Sequence, residues 1–207
     1  MKKGIWVIAL VFILFSVASL ACADYRIYGR VGGMALSENG TPEGHKAFAT
    51  TSLDIMQYID PLTITYTLEF LSMIEAEDDD PEMIHQGYKA GLELKQNNWI
   101  TPYFGAYLER FSRNKNPKYP NGLETLDFID VTAGLEIHKG IYYARVGANY
   151  PVWVDGPDGR VDLDASAGVI LGNWNAGISY RKLSFSGDEN QPTLRVNFPA
   201  FEIGYRF

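Results

Sequence analysis

The chain has 207 residues, a formal net charge of −7 and one cysteine, and this length suits a single domain preceded by a targeting segment. The acidic balance argues against a nucleic-acid surface, which needs a basic stripe. Aromatic residues make up 14% of the chain and include thirteen Tyr, a residue suited to positions that are apolar on one side and wet on the other.

Residues 1–23 have the order of a secretory signal peptide. Lys2 and Lys3 precede an apolar run from Ile5 to Phe15, and Ala21-Cys22-Ala23 supplies the small residues of a cleavage site. We expect residues 24–207 to form the mature domain, whose charge is −9 because two lysines and no acids are removed. A transmembrane anchor and a lipoprotein modified at Cys22 are the alternatives.

From Tyr25 onward, apolar and polar residues alternate with a period of two, which predicts strands with two unlike faces. In the third segment Ile64, Tyr66, Leu68 and Phe70 share one face, and threonines and Glu69 share the other. Ten such segments are predicted, at about residues 25–36, 49–59, 63–74, 84–94, 99–111, 129–137, 142–152, 161–171, 176–185 and 193–207.

The connections between these segments alternate in length. Short turns follow segments two, four, six and eight, at Asp60–Leu62, Lys95–Asn98, His138–Gly140 and Gly172–Asn175. Longer polar loops follow the odd-numbered segments, the first of them running through His45. This asymmetry predicts an all-β, closed, antiparallel up-and-down transmembrane β-barrel of ten strands, with both termini on the periplasmic side. Eight strands and a soluble β-sandwich are the alternatives.

The last predicted strand changes the parity of its apolar residues. Leu194, Val196 and Phe198 alternate out of phase with the run from Phe201 to Phe207. A β-bulge near Pro199, which cannot donate to the ladder, would restore the register.

The chain ends in Tyr205-Arg206-Phe207. This ending resembles the closing strand of bacterial outer-membrane barrels, in which a terminal Phe and an aromatic two places earlier act as the signal for the barrel-assembly machinery. Together with the signal peptide and the alternating strands, it makes the chain similar to small outer-membrane barrels of the opacity, OmpX and OmpW-like class. The resemblance implies a Gram-negative outer-membrane location, with outer-membrane lipid and lipopolysaccharide as partners.

The polar face of the predicted strands is rich in charge, and in a barrel it would face the lumen, where ions must be paired or wet. The interior of a narrow barrel can be filled by side chains, which predicts a salt-bridged plug. A conducting pore would need gaps, and Gly134 and Gly147 are among the glycines that leave room for water. The predicted lumen charge network is Arg26, Arg30, Asp54, Glu69, Lys89, Glu93, Glu109, Asp130, Glu136, Arg145, Asp162, Asp164, Arg181, Glu202 and Arg206.

The class named above includes structural proteins, adhesins and small-solute channels, so the fold does not decide the function. We expect a non-enzymatic envelope protein with a filled lumen that acts as an envelope element or through its outer loops, and no cofactor is predicted. A narrow porin-like channel is the first alternative. A barrel-rim hydrolase, protease or lipid A modifying, is the second, because His85 follows the acidic run Asp78–Asp80.

Overall fold

The computed structural model describes residues 23–38, 40–74, 84–96, 99–113, 125–155, 161–186 and 193–207, and these residues form ten antiparallel strands. Each strand pairs with its neighbours in the sequence, and β10 pairs with β1 to close the sheet into a barrel. The predicted ten-stranded, all-β barrel is therefore confirmed. The strands are β1 (Ala23–Glu38), β2 (Thr41–Ile59), β3 (Leu62–Met73), β4 (Ile84–Gln96), β5 (Ile100–Arg113), β6 (Thr125–Lys139), β7 (Tyr142–Asp155), β8 (Asp162–Leu171), β9 (Trp174–Phe185) and β10 (Leu194–Arg206).

Closure is made along most of the first strand, where residues 26–32 and 35–38 pair with β10. Arg26 of β1 lies opposite Asp54 of β2 on one edge and opposite Arg206 of β10 on the other. Beyond the last strand, the Phe207 amide donates a 2.8 Å hydrogen bond to the Tyr25 carbonyl. Chain ends fray unless they are tied down, so this bond makes the terminal residue part of the wall.

The period-two alternation places apolar side chains outside and polar side chains inside the barrel. Phe70, Phe104 and Phe201 are 63%, 65% and 76% exposed on the exterior. On the interior, Asp54 and Glu93 are each only 2% exposed. The outer surface therefore carries the apolar band that is expected of a transmembrane barrel. Within the described residues there is no helix with the length and apolar character needed to cross a membrane.

The two ends of the barrel differ in their connections. The end that holds both termini has tight connections at residues 60–61, 140–141 and 172–173, and only three residues separate β4 from β5 there; we call it the turn end. Gly140 and Gly172 adopt φ values of 63° and 62° there, a left-handed conformation that favours glycine. Four connections at the opposite end, the loop end, are longer and contain residues 75–83, 114–124, 156–160 and 187–192, which lie outside the described residues. The signal peptide, Cys22 and Asp78–Asp80 also lie outside them.

The predicted long loop after the first strand is wrong. Glu38 pairs directly with Thr41, so that β1 and β2 are joined through Asn39 and Gly40 alone. The ladder is formed by backbone groups, so polar residues can extend a strand as well as apolar ones can. For the same reason Lys95, His138, Trp174 and Asn175, which were predicted in turns, belong to the ends of strands.

The predicted bulge in the last strand is also wrong. β10 pairs with β9 in an uninterrupted register, with Phe201 opposite Ile178, Pro199 opposite Tyr180 and Val196 opposite Leu183. The change of parity therefore turns Val196 and Phe198 into the lumen, where both are buried. An inward position can be apolar when other apolar side chains meet it there.

The room above the inward-facing glycines is filled by aromatic rings. A Cβ atom added to Gly134 would collide with the Val146 carbonyl oxygen and the Tyr103 hydroxyl, and one added to Gly147 would also meet that hydroxyl. Tyr103 is 0% exposed because it lies over these two glycines. The glycines thus allow close packing of tyrosines and do not open a path for water at these positions.

This packing predicts that Gly134→Ala will destabilise the barrel. The added methyl group displaces a buried ring and a backbone carbonyl, and overpacking of this kind costs about 1–3 kcal/mol. Gly33→Ala is the matched control, because a Cβ atom there has nothing within 4 Å. The measurement is denaturant unfolding of the refolded protein in detergent. Equal stability of the two variants would contradict the proposed packing of Tyr103.

Candidate functional site

Five phenylalanines form an aromatic layer across the lumen near the loop end: Phe48, Phe111, Phe128, Phe185 and Phe198. The ring centroids of Phe111 and Phe198 lie 6.3 Å apart. These two residues belong to β5 and β10, which are five positions apart in a ring of ten strands and hence face each other across the barrel. A stacked contact between opposite walls means that side chains occupy the full width of the lumen at this level.

The other contacts of the aromatic layer join it to neighbouring strands. Phe48 packs edge-on against Phe198 at 5.5 Å, and Phe128 stacks on Phe111 at 5.8 Å and meets Phe185 at 5.3 Å. These separations are those of favourable aromatic pairs. The residues that complete the apolar cluster are Met34, Leu71, Leu183, Val196 and Ala200.

This layer was not predicted, because the inward face was expected to carry charged side chains with small residues between them. The signal was present, since Phe111 has the same parity as Tyr107 and Glu109, and Phe128 the same parity as Asp130. Apolar residues on the charged parity, grouped near one end of several strands, would have revealed it.

The rest of the lumen is a charged section, in which ion pairs connect strands that are not adjacent. Its most connected residue is Arg145, whose guanidinium contacts Glu93 at 2.6 Å and lies 3.7 Å from both Glu136 and Asp164. The Arg145 guanidinium also lies 3.9 Å from the centre of the Tyr103 ring. Glu93 is only 2% exposed, so its charge depends on these partners.

A second group of ions surrounds Tyr28. Arg30 binds Glu202 at 2.9 Å and Glu69 at 2.5 Å, and so links β1 to both β10 and β3. Arg26 pairs with Asp54, and both arginines lie within about 5 Å of the Tyr28 ring centre, at 5.2 Å and 4.7 Å. The ring face is attractive to cations, so Tyr28 separates two like charges at low cost.

A third group lies close to the aromatic layer. Arg181 contacts Glu109 at 2.6 Å and Asp130 at 3.4 Å, and Lys89 lies 3.6 Å from Glu109. Within the described chain, Glu109 Oε2 and Arg181 Nε are buried without a hydrogen-bond partner. Both atoms can be satisfied by ordered water, which commonly fills this role in protein interiors.

The structure brings most of the predicted network together. Twelve of the fifteen residues line one cavity of about 180 Å³, and Asp130 joins them through Arg181. Asp162 instead accepts a hydrogen bond from the Ser184 backbone amide at 2.8 Å. Arg206 pairs with Asp24 at the turn-end mouth of the barrel, where it is half exposed. The residues that the prediction omitted are Tyr28, Lys95, Tyr103, Tyr107, His138, Tyr143 and Asn175.

Three of these omissions, Lys95, His138 and Asn175, come from the turn assignments corrected above. Lys95 binds Glu136 at 2.8 Å, and His138 binds the other oxygen of the same carboxylate at 2.6 Å. The described residues contain no group of His, Cys, Asp and Glu arranged to hold a metal ion. The lumen ion pairs hold charges in fixed positions and cross-link the walls of the barrel.

The predicted assembly signal lies on the outside of the turn end. Tyr205 packs against Trp174 at 4.8 Å and against Phe207 at 5.0 Å. Both Trp174 and Phe207 are more than half exposed. The three rings form one aromatic patch on the exterior, available to a partner or to lipid.

Arg145→Met is predicted to lower the free energy of unfolding by about 3–5 kcal/mol, because it leaves the buried Glu93 carboxylate without its main partner. Adding Glu93→Gln should restore part of that loss. Arg110→Met is the control, since Arg110 and Asp127 form an ion pair with side chains 42% and 18% exposed, and exposed pairs contribute about 1 kcal/mol or less. Denaturant unfolding in detergent measures all three variants. An equal effect of the two single substitutions would refute the assigned importance of Arg145.

No protein-family model matches the sequence, and no curated protein is similar to it. Among solved structures, an outer-membrane channel from Pseudomonas putida F1 is similar over 89% of this chain and 95% of that chain, with 12% identity and a TM-score of 0.47. Neisserial surface protein A is similar over 88% and 97%, with 11% identity and a TM-score of 0.39. The attachment invasion locus protein of Yersinia pestis is similar over 90% and 99%, with 10% identity and a TM-score of 0.37.

Proposed function

We propose that this chain is an integral outer-membrane β-barrel that is closed to solutes and has no enzymatic role. In this proposal the barrel is an envelope element of the opacity, OmpX and OmpW-like class, and it acts through its outer surface and its loops. The observation that carries the proposal is the Phe111–Phe198 contact between opposite walls, at 6.3 Å.

The apolar exterior supports the placement in a membrane. Residues at mid-strand on neighbouring strands, such as Val31 of β1 and Phe201 of β10, are paired in register and are 56% and 76% exposed. A continuous surface of this kind on a water-soluble barrel would promote aggregation. In a bilayer the same surface contacts acyl chains, and closure of the sheet leaves no unpaired strand edge in the hydrocarbon.

The aromatic patch formed by Trp174, Tyr205 and Phe207 supports a role of the C-terminus in assembly. Tyr205 and Phe207 face outward beside Trp174, and the Phe207 amide is bonded to the first strand. We therefore retain these two residues as the signal for the barrel-assembly machinery, and outer-membrane lipid and lipopolysaccharide as the surroundings of the mature barrel.

A narrow channel is the second candidate, and the cavity in the charged section favours it. The cavity of about 180 Å³ is lined by charged residues and is bounded by Phe48, Phe111 and Phe198. Movement of the aromatic side chains would be needed to connect it with the loop end. The two candidates therefore differ in whether the aromatic layer opens.

Conductance in planar bilayers distinguishes them. We expect the wild-type barrel to show no ion conductance. The triple variant Phe111→Ala, Phe128→Ala and Phe198→Ala should conduct, because three rings that span the lumen are removed. The matched control replaces two outward-facing rings, Phe104→Ala and Phe201→Ala, and should remain silent. Steady conductance of the wild type would reject the closed barrel in favour of the channel.

Ion selectivity of the opened variant gives a further prediction. The lumen ion pairs join eight acidic side chains to six Lys and Arg side chains, so acidic groups outnumber basic ones by two. Fixed negative charge attracts cations, so the reversal potential in a KCl gradient should show preference for K⁺ over Cl⁻. Glu202→Gln should weaken that preference. Preference for Cl⁻ would contradict this charge balance.

A further inference from the structure

A small polar patch interrupts the apolar exterior where β9 and β10 approach the loop end. It consists of Tyr180 and Lys182 on β9 and Arg195 and Asn197 on β10. The register places Lys182 opposite Asn197 and Arg195 opposite Ser184, so the two basic residues are diagonal neighbours on the outer face. Diagonal neighbours lie roughly 7–8 Å apart, within reach of two long side chains.

The polar patch lies at the level expected for the boundary between the apolar band and the lipid headgroups. Trp174, in the aromatic patch of the turn end, precedes Lys182 by eight positions on the same strand. At about 3.3 Å per residue and a tilt of about 40°, eight residues rise roughly 20 Å. The apolar band of an outer-membrane barrel is about 25 Å tall, so a band that begins at Trp174 ends close to Lys182.

The hydrogen bond within the patch leaves the amide N–H groups of Asn197 able to donate to a ligand. The Tyr180 hydroxyl donates to Asn197 Oδ1 at 2.7 Å, and Tyr180 is 41% exposed. Because the amide oxygen of Asn197 accepts this bond, its amide nitrogen keeps two N–H groups for an external acceptor. Asn197 thus adds a neutral donor between two cationic side chains.

Neither basic residue of the patch forms a salt bridge within the described part of the chain. Lys182 is attracted to the Asp162 carboxylate only at longer range, whereas Arg110, on the opposite outer wall, is paired with Asp127. Lys139, another exterior basic residue, lies in the last position of β6 at the turn end. In the described residues near the loop end, basic exterior side chains without a salt bridge are therefore those of the β9–β10 face.

We propose that Lys182, Arg195 and Asn197 bind the phosphate of an outer-leaflet glycolipid, the headgroup chemistry of lipopolysaccharide. Two cations with a neutral donor between them match a phosphate that accepts several charge-assisted hydrogen bonds. The patch lies at the edge of the apolar band. A lipid can therefore pack its acyl chains against the apolar exterior while its phosphate binds the patch. This inference rests on the membrane placement proposed above.

The experiment measures binding of bisphosphorylated lipid A and of its phosphate-free form to the detergent-solubilised barrel by native mass spectrometry. We expect the phosphorylated form to bind more tightly to the wild type, and Lys182→Gln with Arg195→Gln to weaken that binding about tenfold or more. The charge-preserving pair Lys182→Arg and Arg195→Lys should retain it. Arg110→Gln and Lys139→Gln are the matched controls and should bind as the wild type does.

Two results would overturn the site: equal binding of both lipid forms by the wild type, or unchanged binding by the Lys182→Gln, Arg195→Gln variant. Gel mobility with and without heating shows whether each variant is a folded barrel. A folded, silent barrel that does not discriminate between the lipids refutes only this site. A barrel that conducts refutes the closed-lumen proposal, whatever its lipid binding.

Discussion

The pairing of β1 with β10 is the constraint on which the rest of the structure depends. A backbone N–H or C=O group without a partner in hydrocarbon costs several kcal/mol, so a sheet that spans a membrane must close on itself. In the closed ten-stranded barrel, every side chain faces either the lumen or the exterior. The register that places Arg26 opposite Asp54 and Arg206 determines which residues of these strands share a face. The chain ends on a residue bonded into this seam.

Closure at this strand number also makes the lumen narrow, and the chain fills it in two different ways. In the charged section, Arg145 and Arg30 bind carboxylates from several strands, and tyrosines such as Tyr103 pack onto glycines of the next strands of the same wall. Near the loop end, five phenylalanines fill the same width without charge. The charged section fixes the relative positions of the strands, and the aromatic layer excludes water.

The exterior follows a simpler rule, since contact with lipid requires apolar side chains and tolerates polar ones only near the boundaries. Trp174 and Tyr205 at the turn end and Lys182 and Arg195 toward the loop end fit those boundaries. Because the lumen is occupied from wall to wall at the aromatic layer, the surfaces open to a partner are the exterior and the loop end. The proposed functions therefore concern these surfaces.

The period-two alternation in the sequence was sufficient to predict ten strands and the inward position of residues such as Arg145 and Glu93, because the alternation follows directly from backbone geometry. The lengths of the connections predicted the antiparallel order. It was insufficient at strand ends: Lys95 and His138 were assigned to turns, since a backbone ladder continues regardless of side-chain polarity. The aromatic layer required the tertiary structure. Phe111 and Phe198 are far apart in the chain and on opposite walls, and only the circumference of the closed barrel brings their rings into contact. The partners of each lumen charge were decided in the same way, by the distance across the barrel.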